Sequence, residues 1–331
     1  MIDKANVTNA EQTGEDFHQL YYKHIEPLIT PYENDRVKSL IKVCIELVLL
    51  TVFLPLTFYL IYNLLKTYLF MTDDINEYII LIGILIYAIW GSIIYYSASE
   101  KIREKAKINI LKPMTKLLGQ IGWTREAVVP MKEIQTFGFA MRATSDTTDD
   151  AFTGTLEDVP VNIQETELEH SEGSGKNRHS VTDFKGVAII LKMNKTFTGR
   201  TLVLRDKGQV LGLNINNKTY GGMEKVALES IEFEKEFEVY STDQVEARYI
   251  LTTSFMEKLE NIKNFFNAKY VECGFFDGEI LILLHTNKNL FEVGDLIHSF
   301  KNKRMYEDAY NEIKSITDMI KHLKLNIKTG L

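Results

Sequence analysis

The residues of this chain that could do chemistry are few, and most lie in its second half. Asp243, Glu246 and Arg248 fall close together, with Arg200 some forty residues upstream. Carboxylates beside guanidinium groups either pair to fix a turn or line a polar pocket for a charged ligand. The four therefore form a candidate ligand-binding or structural polar cluster, the structural role being the commoner one. Glu165, Glu167 and Glu169 alternate, which in a strand places three carboxylates on one face. Such a face is either a cation site or, more commonly, a solvated sheet surface.

The stretch His170-Ser-Glu-Gly-Ser-Gly-Lys-Asn-Arg-His179 is polar and rich in glycine. A phosphate-binding loop needs its glycines before Lys-Ser/Thr at the start of a helix. Here Gly175-Lys176 is followed by Asn177 and then by strand-like sequence, so the spacing predicts a flexible loop. Two histidines at its ends do not by themselves make a metal-ligand set. The chain contains no His-Glu-x-x-His, Gly-x-Ser-x-Gly or phosphate-loop pattern. No catalytic residue, cofactor-binding residue or metal ligand is assigned, and no cofactor is expected.

Cys273 and His285 are nucleophile and base types, but the element that carries them argues against a reactive pair. YVECGFF and EILILLH flank Asp277-Gly278, the preferred pair for a two-residue type I′ turn. That register sets Phe276 opposite Glu279, Cys273 opposite Ile282 and Tyr270 opposite His285. Val271, Cys273, Phe275, Ile280, Ile282 and Leu284 then share one apolar face, with His285 on the other. Cys273 is read as a core residue. Cys44, the other cysteine, lies far away at the start of an apolar run, so both are expected to be reduced thiols.

Around this hairpin the periodicity predicts further elements. A short amphipathic helix spans 15–29, with Phe17, Leu20, Tyr21, Ile25 and Leu28 on one face. It is expected to pack on the soluble domain rather than lie on a membrane. A helix is expected over Pro113–Trp123, and two strands over 151–170 around Glu157-Asp158. Strands follow at 184–193 and 200–206, joined by a turn at Thr198-Gly199. Ser241-x-x-Gln244 and Ser254-x-x-Glu257 read as capping boxes. The second opens a helix burying Phe255, Leu259, Ile262 and Phe266. A last helix, about 303–324, aligns Tyr306, Ala309, Tyr310, Ile313, Ile316, Ile320 and Leu323. Docking on the domain is the default for that stripe, and self-association into a homo-oligomer is the sharper alternative.

The strongest signal is apolar. Leu47–Leu65 runs 19 residues and Tyr78–Ala98 runs 21, both without a charge. About 20 residues at ~1.5 Å rise cross a hydrocarbon core of roughly 30 Å. Tyrosines gather towards the ends of the runs, as at lipid headgroups. Pro55 should kink the first span, and Gly83 and Gly91 should let the second pack closely on it. Arg36, Lys38 and Lys42 precede the pair; Lys101, Arg103, Lys105 and Lys107 follow it. The connecting loop carries Lys66 at its start, then Asp73, Asp74 and Glu77. Positive flanks stay inside, so both termini are expected in the cytoplasm. The first 39 residues are polar and include Glu11, Glu15 and Asp16, unlike a cleavable signal peptide. A net charge of −7 argues against nucleic acid as the main partner.

The expected fold is α+β: an N-terminal transmembrane helical hairpin, then a soluble domain of mainly antiparallel sheet with flanking helices. Its parts are an N-terminal amphipathic helix in 1–39, the hairpin in 40–99 (spans about 45–67 and 78–98), and a cytoplasmic domain in 100–331.

The segment Glu232–Leu259, above all Val239-Tyr-Ser-x-Asp-Gln-Val-Glu-Ala-Arg-Tyr249, resembles the bacterial domain-of-unknown-function family 3137 (DUF3137). Phe184-Lys-Gly186, Gly199-Arg-Thr201 and Phe17-His-Gln-Leu-Tyr-Tyr-Lys-His-Ile-Glu-Pro27 extend the resemblance over nearly the whole chain. Thr253 departs from the proline expected at a helix start. The resemblance implies two N-terminal membrane helices and a cytoplasmic α+β portion in a multi-pass bacterial inner-membrane protein. It implies no activity, cofactor or catalytic set. The expected function is a membrane-tethered binding or scaffolding module whose partners are the lipid bilayer and a protein not identifiable from sequence. The alternative is a membrane-associated enzyme using its acidic and arginine residues. A channel is disfavoured, because neither span carries an ionisable residue.

Overall fold

Residues 17–45 bury Phe17, Tyr21, Ile25, Ile29 and Val43, a helical spacing, and the polar positions between them are good helix formers. In the computed structural model, which describes residues 17–69, 76–112, 115, 120–193, 197–205, 222–228 and 230–328, this stretch does not stop before the first apolar run. The helix starts at Phe17, passes through a π-helical turn at Tyr21–Ile25 and continues as α1 (Glu26–Leu69). The separate amphipathic helix of the sequence reading is thus the first part of one long helix. Nothing between Glu26 and Leu47 supplies a C-cap, and α1 continues through Pro31 and Pro55. The connecting loop at Asp73 and Asp74 lies outside the described residues, as do Glu11, Glu15 and Asp16.

Helix α2 (Asn76–Ala106) follows and leads into a second π-helical turn, Lys107–Leu111. It packs antiparallel on α1 where its side chains are smallest. A Cβ at Gly91 would lie 3.4 Å from Leu47, and one at Gly83 would lie 3.7 Å from Phe58. Between them the Thr51 and Tyr87 hydroxyls are 3.1 Å apart. Away from this seam the apolar side chains face outwards: Val48, Tyr59, Leu81, Leu85, Trp90 and Ile93 are all exposed.

The chain divides into two compact units. Residues up to Leu111 with Val293–Tyr306 form one, and Lys112–Glu292 with Glu307–Leu331 form the other. In the first, Tyr21 packs on Tyr306, and the Lys303 ammonium lies 5.1 Å from the Tyr22 ring and 5.4 Å from that of Tyr21.

The second unit holds a nine-stranded sheet. Its strands are β1 (Gln120–Thr124), β2 (Ser145–Leu156), β3 (Val159–Glu172), β4 (His179–Lys192), β5 (Thr201–Arg205), β6 (Glu224–Val226), β7 (Phe237–Ser241), β8 (Tyr270–Phe276) and β9 (Glu279–His285). Their spatial order is β1-β2-β3-β4-β9-β8-β5-β7-β6, every neighbouring pair antiparallel. Helices α3 (Met131–Thr136), α4 (Ile231–Glu236), α5 (Gln244–Ile250) and α6 (Thr253–Phe265) lie between strands in the chain. Helix α7 (Lys303–Lys328) ends the described chain. The fold is α+β, with long apolar helices ahead of an antiparallel sheet.

The β8–β9 register sets Cys273 opposite Ile282 and Tyr270 opposite His285. Asp277 and Gly278 adopt φ of 50° and 75°, both in the left-handed region that a type I′ turn demands. Glu157 and Asp158 turn the β2–β3 hairpin in the same way, at φ of 51° and 60°. Both faces of β9 are buried, Ile282 on one side and Leu281 and Leu283 on the other. The second side packs with Phe137, Phe184, Ala188, Ile190 and Leu202.

Three expectations are corrected. Gln120–Trp123 is strand rather than helix: it pairs with β2, and the Trp123 indole N–H donates to Asp150 across that pairing at 2.6 Å. Residues 113, 114 and 116–119 of the expected helix lie outside the described residues. Strands β4 and β5, consecutive in the chain, are not neighbours in the sheet: β4 lies between β3 and β9, and β5 between β8 and β7. The two helix caps are also shifted. Ser241 belongs to β7, and α5 is capped by Asp243, whose Oδ1 accepts from the N–H groups of Val245 and Glu246 at 3.0 Å each. Thr252, not Ser254, caps α6 by accepting from Phe255 N–H at 3.3 Å. Phe255, Leu259, Ile262 and Phe266 are buried, as are Tyr306, Ala309, Tyr310, Ile313, Ile316 and Ile320.

Candidate functional site

Strands β5 and β7 are cross-linked at their ends, and that corner collects the polar cluster singled out from sequence. The Thr201 and Ser241 hydroxyls are buried 2.8 Å apart. Arg200 N–H donates to Thr242 Oγ1 at 2.8 Å, and Thr242 N–H donates back to the Arg200 carbonyl at 3.0 Å. Helix α5 then starts at its Asp243 cap and aims Glu246 at the chain entering β5. One oxygen of Glu246 accepts from the N–H and hydroxyl of Thr198 at 2.9 and 3.2 Å, and the other from Gly199 N–H at 2.8 Å. The approach is close: a Cβ at Gly199 would lie 2.8 Å from that of Asp243.

The two arginines are engaged elsewhere. The Arg200 guanidinium lies over the Phe276 ring at 4.1 Å, a cation–π contact. Arg248 donates to the carbonyls of Ala227 and Gln244 at 3.4 Å each and to Gln244 Oε1 at 3.1 Å. Glu246 and Arg248 thus fix their surroundings through backbone groups rather than by an ion pair with each other. Chemically the arrangement is a cap and a two-oxygen staple that hold a strand end.

His285 Nε2 donates to Glu272 Oε2 at 3.0 Å, and its ring stacks on Tyr270 at 3.9 Å and meets the edge of Phe184. Cys273 faces away from it, fully buried, and burial pushes its thiol well above the usual range. It is a packing residue, unsuited to attack as thiolate.

His170 is placed more suggestively. Its Nδ1 lies 2.8 Å from Asp183 Oδ2 and its Nε2 lies 3.0 Å from Glu172 Oε1. A histidine oriented by a carboxylate is half of a nucleophile-activating arrangement. Here the second nitrogen faces another carboxylate instead of a hydroxyl or thiol, so the constellation lacks a nucleophile. His179 Nδ1 lies 3.2 Å from the Asn177 carbonyl oxygen of its own turn.

The alternating carboxylates do not converge. Glu167 binds Lys185 Nζ at 2.7 Å and Thr182 Oγ1 at 2.9 Å, which hold its carboxyl below the usual range. Glu165 accepts from Leu290 N–H at 3.3 Å. Among the described residues, the carboxylates close enough to share a cation are Asp149, Asp150 and Glu292, with one oxygen of each within 4.8 Å of the others. Sequence offered no signal for that grouping, since Glu292 is remote in the chain. Asp150 already accepts from Trp123, and all three make further protein contacts.

Two buried polar residues also escaped the sequence reading. Gln164 uses Oε1 to accept from Val128 and Val129 N–H at 2.7 and 2.8 Å. Glu33, paired with Arg36 one turn on, accepts from Phe300 N–H at 2.9 Å and Ser299 Oγ at 3.0 Å. Glu33 followed by Arg36 at i+3 was a visible ion-pair signal, but the distant donors to Glu33 were not.

No curated protein matches the chain. Among solved structures it is similar to the crystal structure of the mycobacterial trehalose monomycolate transport factor A, TtfA, at 11% identity and a TM-score of 0.29. That alignment covers 54% of this chain and 74% of the other, and a likeness so slight carries no argument. Residues 182–325 match the family described as Protein of unknown function (DUF3137), a span that takes in most of β4, all of β5 to β9 and most of α7 and leaves Phe17–Pro27 outside it. That match supports reading this span as a DUF3137 domain.

Proposed function

We propose that this protein is a membrane-tethered binding or scaffolding module, in which the α1–α2 hairpin anchors an α+β interaction domain to a bilayer. The observation that carries the reading is the outward face of the hairpin. The most apolar windows of the two helices have mean hydropathies of 2.2 and 1.7, and none of either window is buried by the protein. Apolar surface left in water is unfavourable by about 25 cal/mol per Å², so a stripe this long calls for a cover. Lipid supplies it without a partner protein. The arginine and lysine flanks favour an arrangement with both termini on the cytoplasmic side of a bacterial inner membrane and the acidic connection outside.

A binding role, rather than catalysis, is favoured by the candidate chemistry. Asp243 and Glu246 spend their oxygens on backbone N–H groups, His170 faces two carboxylates, and Cys273 is buried in the core. The alternative, a membrane-associated enzyme, would need a substrate group to complete one of these clusters.

Fractionation tests the anchor. Full-length protein is expected in the membrane pellet after ultracentrifugation and to resist alkaline carbonate washing. Recovery in the supernatant without detergent would overturn the tether. Crosslinking in intact membranes, followed by purification in mild detergent, tests the binding role; the same protein recovered from independent preparations is the expected result.

A further inference from the structure

We propose that His170 is a pH-sensitive latch, held as the imidazolium between Glu172 and Asp183, which pins the tip of the β3–β4 hairpin and releases it as the pH rises. The inference rests on donor counting. An ionised carboxylate only accepts hydrogen bonds, and neutral imidazole has a single N–H. Both His170 nitrogens face carboxylate oxygens, at 2.8 and 3.0 Å, so both bonds exist together only when both nitrogens carry a proton. Loss of one proton to solvent turns one nitrogen into an acceptor facing an acceptor, and that arm opens.

The groups around the latch come from three parts of the sheet. Glu172 ends β3, while Asp183 and His179 lie on β4. Arg142, from the segment between α3 and β2, reaches Glu172 at 3.3 Å and Asp183 at 3.2 Å. The His170 and Asp183 side chains are 8% and 7% exposed, whereas those of Glu172 and Arg142 are 48% and 66% exposed. Glu172 and then Asp183 raise the proton affinity of His170, while burial and, more weakly, Arg142 oppose them. Glu172 is in turn held below the usual carboxylate range, chiefly by His170.

The signs set a window. A histidine with raised affinity contributes its interaction fully below the ordinary imidazole range and loses it as the pH climbs through the raised value. A depressed glutamate contributes above its ordinary range and loses its share as the pH falls through the lowered value. The latch is therefore closed between the lowered glutamate value and the raised histidine value, and on the alkaline side it opens as the pH climbs through the latter. What it holds is residues 173–178, which are exposed. The β3–β4 ladder reaches Glu172 opposite His179, and beyond it the tip is tied by backbone turn bonds and by Arg178 donating to Ser171 Oγ at 3.1 Å.

The test uses full-length protein in detergent, with the His170 ring signal followed by NMR from about pH 5.5 to 9. Hydrogen exchange of peptides covering 170–184, corrected for intrinsic rates, is measured over the same range. A His170 midpoint above the ordinary ~6.5 is expected, with protection of the tip falling by about tenfold across it. Glu172→Gln should lower that midpoint, and in His170→Gln the protection should be weak and flat with pH. If His170→Gln does not fold, the Glu172→Gln shift decides. A midpoint at or below the ordinary value, or protection that stays constant while His170 titrates, would overturn the proposal.

Discussion

Glu33 and Arg36, one turn apart on α1, close a two-bond ion pair and use it to hold a segment some 260 residues away. Arg36 Nε and Nη2 donate to the two Glu33 oxygens at 3.0 and 2.8 Å, and Nη1 donates to the Leu296 carbonyl at 2.9 Å. Glu33 passes the grip on to Ser299 and to Phe300 N–H. Both side chains are 10% exposed. Near-complete burial with every strong donor and acceptor used is the condition under which an ion pair contributes rather than merely decorates.

Removing one partner leaves the other charged and buried. Glu33→Ala should lower the unfolding free energy of the purified protein by about 3 kcal/mol. Exchange in 295–300 should rise with it. Denaturant unfolding checks the first effect and hydrogen exchange the second; a change below about 0.5 kcal/mol would show the clasp to be idle.

At the β5–β7 corner, Glu246 and Arg248 should behave differently although they are two residues apart. Glu246→Ala leaves the Thr198 and Gly199 N–H groups without their acceptor and should cost about 1–2 kcal/mol. Arg248 is exposed and its bonds to carbonyls are long, so Arg248→Ala should fall within about 0.5 kcal/mol of the parent. Equal losses of stability would contradict the geometry. A loss of cellular phenotype in both variants with stability intact would revive the ligand-pocket reading.

Gly186, in β4, has a φ of 146°, and a Cβ there would run into the Leu284 carbonyl oxygen of β9. The obstacle is backbone of a central strand and has no rotamer to change. Gly186→Ala should therefore destabilise by more than about 2 kcal/mol, through strain and a broken β4–β9 ladder. Yield of folded protein and the melting temperature report it.

The Glu167–Lys185 pair predicts an acid-side effect. Lys185, then Thr182, hold the Glu167 carboxyl low. Its contribution is present above the ordinary glutamate range and is lost as the pH falls through the depressed value. Glu167→Gln should cost up to about 1 kcal/mol near pH 7. At a pH below that depressed value, where both side chains are neutral, the difference from the parent should vanish. Paired urea unfolding curves at the two pH values measure it.

Local chemistry made several elements legible in the residues themselves. Asp277-Gly278 sets its hairpin register because few residue pairs accept positive φ twice in succession. Leu47–Leu65 and Tyr78–Ala98 announce long apolar helices by composition alone. Phe255 to Phe266 show their buried face by helical spacing. The partners of side chains remote in sequence could be read only from the tertiary structure. It joined Glu33 to Phe300 and Glu246 to Gly199, and it set His170 between Glu172 and Asp183. It also merged the amphipathic segment with the first apolar run and made Trp123 part of a strand. The physical reason is one of range: turns and amphipathic faces are decided within a few residues of chain. The hydrogen-bond partner that a buried polar group finds depends on which strands and loops the fold brings beside it.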